Sequence, residues 1–135
     1  MVASVDHQGA PLLLRVRVGA DTPGRRAEFG RLAIIVQSLD RVRPDGLPEP
    51  DYNDALADFD AHVIEAVEES ERALVVLVET FQGERTYYAY AAAGGHSNRV
   101  VADLAGRYPQ HRLKAFGGPD PDWNLWNDYR TRWPW

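Results

Sequence analysis

Residues 73–91 read ALVVLVETFQGERTYYAYA, and this stretch decides the fold. Ala73 to Val78 is a run of residues with high strand propensity that is too short for a helix. Gln82-Gly83 is typical of a tight turn, and the tyrosine-rich segment Arg85 to Ala91 follows it. The stretch therefore predicts a β-hairpin.

The segments on either side of this hairpin predict two more strands and two helices. They are a strand at Arg31 to Leu39, a helix opened by Pro50 and Asp51 and running to about Glu71, a helix from Ser97 to about Arg107, and a strand at His111 to Phe116 that stops at Gly117-Gly118. The resulting order is strand, helix, strand, strand, helix, strand. It is typical of the split βαβ or ferredoxin-like arrangement, so we expect an α+β fold with a ferredoxin-like core at about residues 31–116.

Two further elements flank this core: an extra N-terminal strand at Leu12 to Val18, and a C-terminal helix with Asp120 as its cap and Pro121 at its first position. The central strands are apolar on both faces, and two helices can cover only one of them. All four tryptophans lie in the last 13 residues. We expect this tail to cover the second sheet face or to form half of a homodimer contact, leaving no polar cavity for chemistry.

Composition limits the class of protein. The chain has 135 residues, 44% of them apolar, which predicts one domain over residues 1–135 that needs no disulfide, structural metal or other cofactor. The absence of cysteine excludes thiolate catalysis and Cys-ligated zinc. The net charge of −5 makes nucleic acid an unfavourable partner. Because the apolar run Pro11 to Leu14 is far too short for a signal peptide or membrane span, we expect a cytoplasmic protein without membrane contact.

The helix before the hairpin is strongly acidic. Nine Asp and Glu residues and no Lys or Arg lie between Glu49 and Glu71. Apolar residues recur at spacings of three and four, on one side of the predicted helix, at Tyr52, Leu56, Phe59, Val63 and Val67. The opposite side carries Asp54, Asp58, Glu65 and Glu69. The pattern predicts an amphipathic helix with an acidic face.

An acidic face is by default a solvated surface that keeps a protein in solution. The functional hypothesis is that Asp54, Asp58, Glu65 and Glu69 attract a basic protein partner. Trp133 and Trp135 are a second candidate for partner binding, provided that they are exposed. The residues thus favour a non-catalytic module that acts by protein–protein interaction, through the acidic helix, the aromatic C-terminus, or both.

Two alternatives stay open. Gly95, Ser97 and Arg99 lie where a loop meets a helix start, so they are candidates for binding a small anion or phosphate, as a ligand-binding protein or an enzyme would. Tyr88 and Tyr90 alternate onto one sheet face and could stack on single-stranded RNA. No histidine pair has the spacing of a metal site, and no Gly-x-Ser-x-Gly motif supports a nucleophile, so no catalytic or metal-binding residues are predicted.

The chain resembles the bacterial domain of unknown function 695 family over about residues 11–130. The segments that carry the likeness are the Arg31 to Leu39 strand, Asp45-Gly46-Leu47-Pro48 before the acidic helix, Gly83-Glu84-Arg85-Thr86-Tyr87-Tyr88-Ala89-Tyr90, and Asp120-Pro121-Asp122-Trp123 followed by Tyr129. The resemblance implies a ferredoxin-like fold related to small regulators such as the protein inhibitor of ribonuclease E. It brings no catalytic residues.

Overall fold

A computed structural model describes residues 1–70, 72–92 and 97–135. The elements are β1 (Val2–His7), β2 (Ala10–Val16), α1 (Pro23–Glu28), β3 (Arg31–Ser38), α2 (Pro50–Ala55), α3 (Ala57–Ser70), β4 (Ala73–Phe81), β5 (Glu84–Ala91), α4 (Ser97–Arg107), β6 (Arg112–Pro119) and α5 (Asn124–Arg132). The mixed content confirms the α+β class. None of the described helices is both long and apolar enough to span a membrane.

The strands form one antiparallel sheet in the order β1-β2-β4-β5-β3-β6. The four strands predicted for the core are neighbours in this order. β2 and β1 extend the sheet beside β4. The sequence predicted only one N-terminal strand, from Leu12 to Val18, whereas β2 ends at Val16 and β1 precedes it.

The two hairpins use the same turn. Gln82 and Gly83 both have positive φ, which matches the right-handed twist of the paired strands and confirms the hairpin of β4 and β5. Gln8 and Gly9 have the same geometry and join β1 to β2. The missed strand therefore carried a recognisable turn signal.

The acidic segment forms two helices instead of the single one predicted. The amide of Leu56 is shared between the carbonyls of Tyr52 and Asn53, a bifurcated arrangement that is common at helix ends. α2 therefore ends before Leu56, and α3 begins after it. Asp51 does not cap α2, because the capping position is Glu49, which makes no side-chain hydrogen bond there.

Both sheet faces are covered. Tyr87 and Ile35 pack with Phe59 and Val63 of α3 and with Leu104 of α4. On the other face, β-strand residues of the second cluster pack against the C-terminal tail: Leu12, Leu14, Val76, Leu77 and Tyr90 contact the region of Trp123 and Trp126. The tail thus covers the face that the two core helices leave open.

The ends of two elements differ from prediction, and at β6 the observed contact is steric. β6 continues through Gly117 and Gly118 to Pro119, because a Cβ at Gly117 would come within 2.5 Å of the Leu32 carbonyl oxygen and only glycine fits beside β3. α5 begins at Asn124 and not at Pro121. The Asp120 carboxylate still caps it, accepting from the amides of Asn124 and Leu125 at 2.8 and 3.2 Å.

Candidate functional site

The four predicted acidic side chains share one surface of α2 and α3. Asp54, Asp58, Glu65 and Glu69 are all exposed, and we call these four residues the acidic face. Among residues 1–70, 72–92 and 97–135, none of the four forms an ion pair. The surface therefore carries four negative charges that no ion pair within the described part of the chain offsets.

Other acids of the same helix are paired with the sheet. Asp60 accepts two hydrogen bonds from Arg15 of β2. Glu68 accepts from Arg17, whose Nε also donates to the Val75 carbonyl. The described acids of α3 thus divide into Asp60 and Glu68, which attach the helix to the sheet, and residues that face solvent.

The tryptophan tail lies on the opposite side of the sheet. Trp133 and Trp135 are half-buried, so they are neither the fully buried core nor the exposed patch that the sequence left as alternatives. Trp135 packs edge-on against Trp126 at 5.0 Å between ring centroids, and Trp133 packs against His7 of β1 at 5.4 Å. Their partner-binding role stays a prediction.

The predicted anion loop lies mostly outside the described residues. Gly95 is among those not described. Ser97 begins α4, and Arg99 is exposed on its first turn. The phosphate or carboxylate hypothesis for these three residues therefore stays a prediction.

Sequence reasoning did not anticipate a polar cleft of about 300 Å³ between the sheet and the junction of α2 and α3. Its polar wall contains Arg15, Asn53, Asp60, Thr80 and Arg85. The expectation that both covered faces would leave no such cavity is wrong, because large apolar side chains do not fill the space under the α2–α3 junction.

Asp60 connects the charged groups of this cleft. Its Oδ2 accepts from Arg15 Nη1 at 2.8 Å, and its Oδ1 accepts from Arg15 Nη2 at 2.5 Å and from the Tyr87 hydroxyl at 2.7 Å. Arg85 Nη1 lies 3.8 Å from the same Oδ1. Burial, and after it the charge of Asp60, raises the pKa of the Tyr87 phenol far above its ordinary value. Tyr87 is therefore a neutral donor to Asp60.

The strand register places three polar side chains in one row across the centre of the sheet. Thr80 of β4 faces Arg85 of β5, which faces Gln37 of β3, and all three are buried. Arg85 Nε donates to Thr80 Oγ1 at 3.0 Å. Both amide atoms of Gln37 are buried and lack a hydrogen-bond partner within the described part of the chain. Buried polar groups without partners lower the stability of a core. Two members of this row, Thr80 and Arg85, also line the cleft.

The same register gives a sequence signal for part of the site. Thr80 and Arg85 are placed symmetrically about the turn Gln82-Gly83, so a two-residue hairpin forces their side chains to face each other. On a helical wheel at 100° per residue, Asp60 lies only about 20° from the direction of Val67, which is inside the buried arc. No comparable sequence pattern predicts that Arg15 belongs to the site, because its position there depends on how β2 pairs with β4.

A half-buried carboxyl group, that of Glu79, lies under the tail. Glu79 Oε1 accepts from the Tyr129 hydroxyl at 2.8 Å, and the Tyr88 hydroxyl lies 3.0 Å from that of Tyr129. Burial is the largest influence and raises the pKa of Glu79 above its ordinary range, although the hydrogen bond from Tyr129 opposes it. The folded state thus binds the Glu79 proton more readily than the unfolded state does.

We expect Glu79→Gln to stabilise the protein at neutral pH. A raised carboxyl pKa contributes stability below the unfolded-state pKa, and this contribution is lost as the pH rises through the folded-state pKa. Glutamine keeps an acceptor for Tyr129 and removes the charge. Thermal unfolding followed by circular dichroism should give a higher Tm for the variant at about pH 7 and a smaller difference at about pH 4. The exposed neighbour Glu84→Gln is the control, and a lower Tm for Glu79→Gln at neutral pH would contradict the argument.

Comparison with known protein families identifies a match. A protein-family model described as "Family of unknown function (DUF695)" covers residues 2–130, nearly the whole chain. It confirms the resemblance seen in the sequence and extends it across β1. A search of curated proteins finds no match.

Proposed function

This chain belongs to DUF695, a family of unknown function, and we propose that it is a non-catalytic, intracellular module that binds a basic protein partner through the acidic face. The observation that carries the proposal is the division of acids along α2 and α3. Asp60 and Glu68, which face the sheet, are ion-paired with Arg15 and Arg17, whereas the four carboxylates of the acidic face form no ion pair with the described residues.

The position of one of these charges supports the proposal. Glu69 lies in the last turn of α3, where the helix dipole disfavours negative charge by about a few tenths of a kcal/mol. α3 has no basic residue in its last turn. A basic partner surface would offset this unfavourable term and would be attracted over distances of about a Debye length, 8 Å at physiological salt.

Neutralising the acidic face should remove partner binding and leave the fold intact. The variant is Asp54→Asn, Asp58→Asn, Glu65→Gln and Glu69→Gln. All four side chains are exposed, so we expect an unchanged circular dichroism spectrum. In affinity capture from native lysate with quantitative mass spectrometry, we expect the partner signal to fall at least about tenfold.

A matched control separates this face from the total charge of the protein. Glu28→Gln, Glu84→Gln, Asp122→Asn and Asp128→Asn make the same charge change at four exposed acids away from the acidic face. The control should capture the partner as the unmodified protein does. Equal capture by both neutralised variants and the unmodified protein would contradict the proposal.

The remaining hypotheses rank lower for structural reasons. Tyr90 is fully buried and stacks on Trp123 at 4.1 Å between centroids, so it offers no platform for an RNA base. Trp133 and Trp135 pack in part against their own chain. This packing favours a tail that covers the sheet, and it makes a homodimer contact through the tail the weaker alternative. A light-scattering mass near the 15.2 kDa of one chain is the expected result.

We also infer that the core is ferredoxin-like. The support is the neighbour order β4-β5-β3-β6 together with the chain order β3, α2 and α3, β4, β5, α4, β6. In this arrangement each helical connection crosses over one intervening antiparallel strand. β1 and β2 are then an extension on the β4 side, and α5 covers the face opposite to the core helices.

A further inference from the structure

The polar cleft has an excess of positive charge. Arg15 and Arg85 share the single carboxylate of Asp60, and both Asp60 oxygens already accept hydrogen bonds from Arg15. Arg85 is only 7% exposed, yet its direct hydrogen bonds go to neutral oxygens: Thr80 Oγ1 at 3.0 Å and Asn53 Oδ1 at 2.8 Å. A buried guanidinium usually has an anion in direct contact. One monovalent anion would balance the charge of the cleft.

The unused hydrogen-bonding capacity of the cleft consists of donors. Asn53 and Thr80 both use their oxygens to accept from Arg85, which leaves the Asn53 amide N–H groups and the Thr80 hydroxyl proton. Neither group donates a hydrogen bond to the described residues. Among residues 1–70, 72–92 and 97–135, Arg85 Nη1 likewise has only the Asp60 oxygen at 3.8 Å, which is too long for a hydrogen bond. Donors from three elements therefore surround one space.

The other wall of the cleft is apolar. Val2 of β1, Leu13 of β2 and Val78 of β4 line it. The volume of about 300 Å³ is at the lower end of small-molecule sites. A ligand that fits both walls has acceptor oxygens at one end and a hydrocarbon group at the other.

We propose that this cleft binds a small monocarboxylate with an apolar tail, with Arg85, Asn53 and Thr80 holding the carboxylate and Leu13 and Val78 contacting the tail. The planar guanidinium fork of arginine suits a carboxylate. A phosphate monoester carries about 1.5 to 2 negative charges, which exceeds the single positive charge available beside Asp60. The charge balance therefore favours the carboxylate.

Titration of the full-length protein with benzoate, followed by NMR of backbone amides and arginine Nε–H groups, tests the proposal. We expect saturable shifts at Thr80 and Arg85. Benzamide, the uncharged analogue, should bind at least about tenfold more weakly, since a buried charge-assisted contact is lost. Tighter binding of inorganic phosphate than of benzoate would overturn the choice of a monocarboxylate.

Two variants locate the binding. Arg85→Met removes the cation, and we expect benzoate affinity to fall at least about tenfold. Because Arg85 is buried and its loss could unfold the protein, the second variant is Ala57→Leu, which fills the cleft from an exposed position on α3 without changing any charge. It should also abolish the shifts at Thr80. Unchanged benzoate binding by folded Ala57→Leu, or no saturable binding by the unmodified protein, would overturn the proposal.

Discussion

Trp123→Ala is expected to destabilise the fold by about 3–5 kcal/mol, the range for truncating a buried aromatic side chain. Trp123 is completely buried and its ring stacks on Tyr90. Its Nε1 donates to the Phe29 carbonyl at 2.8 Å, which connects the tail to the segment after α1. Loss of the ring removes the stack, opens a cavity and leaves the carbonyl without this donor.

The backbone conformation of Trp123 adds to the expected loss of stability. Its φ of 56° and ψ of 46° lie in the left-handed region, which few residues other than glycine adopt. The buried ring must offset that strain, and alanine at this position would keep the strain without the burial. Urea unfolding followed by far-UV circular dichroism measures the effect.

Trp135→Ala is the comparison for Trp123→Ala. Trp135 is half-buried and its backbone is not in the left-handed region, so its truncation should cost less than half as much. Trp123→Phe retains a stacked ring and should be intermediate. If Trp123→Ala and Trp135→Ala unfold at the same urea concentration, the tail does not depend on the Tyr90 stack.

The second large effect is expected for Asp60→Asn, which should lower the free energy of unfolding by about 3 kcal/mol. Removing one partner from a buried ion pair leaves an uncompensated charge, which costs about 3–5 kcal/mol. The lower end applies because the Arg15 side chain is 41% exposed and water screens part of its charge. In the Asp60→Asn variant, Arg85, whose side chain is 9% exposed, would have no carboxylate within 4 Å in the described part of the chain.

Asp58→Asn is the matched control for Asp60→Asn. It makes the same chemical change two residues away on α3, at an exposed carboxylate of the acidic face. We expect its unfolding free energy to change by no more than about 0.5 kcal/mol. Equal destabilisation by the two substitutions would show that Asp60 does not connect α3 to the sheet.

The fold was largely predictable because its decisive signals are local. The two-residue turn at Gln82-Gly83 lies between two strand-forming runs, and the 3.6-residue period of the acidic segment places Phe59 and Val63 in the core. The missed features depend on contacts distant in sequence. Gly117 of β6 fits close beside the Leu32 carbonyl, and Trp123, the residue before α5, stacks on Tyr90.

The candidate site was less predictable for the same reason. Periodicity placed the four carboxylates of the acidic face on the solvent side, and they are exposed. Composition alone could not separate them from Asp60, whose partner Arg15 is 45 residues away on β2. The cleft arises only when β2 pairs with β4, and that pairing depends on a strand order that local patterns do not contain.

The sheet ends at β6 with a strand that other molecules cannot easily extend. Arg112 and Lys114 are exposed along it, and Pro119 at its end has no N–H to offer a further strand. Arg112 is ion-paired with Asp40, so Lys114 is the positive charge that two copies meeting along β6 would bring together. The protein is therefore expected to stay free of fibril-like aggregation through this edge even when it is concentrated.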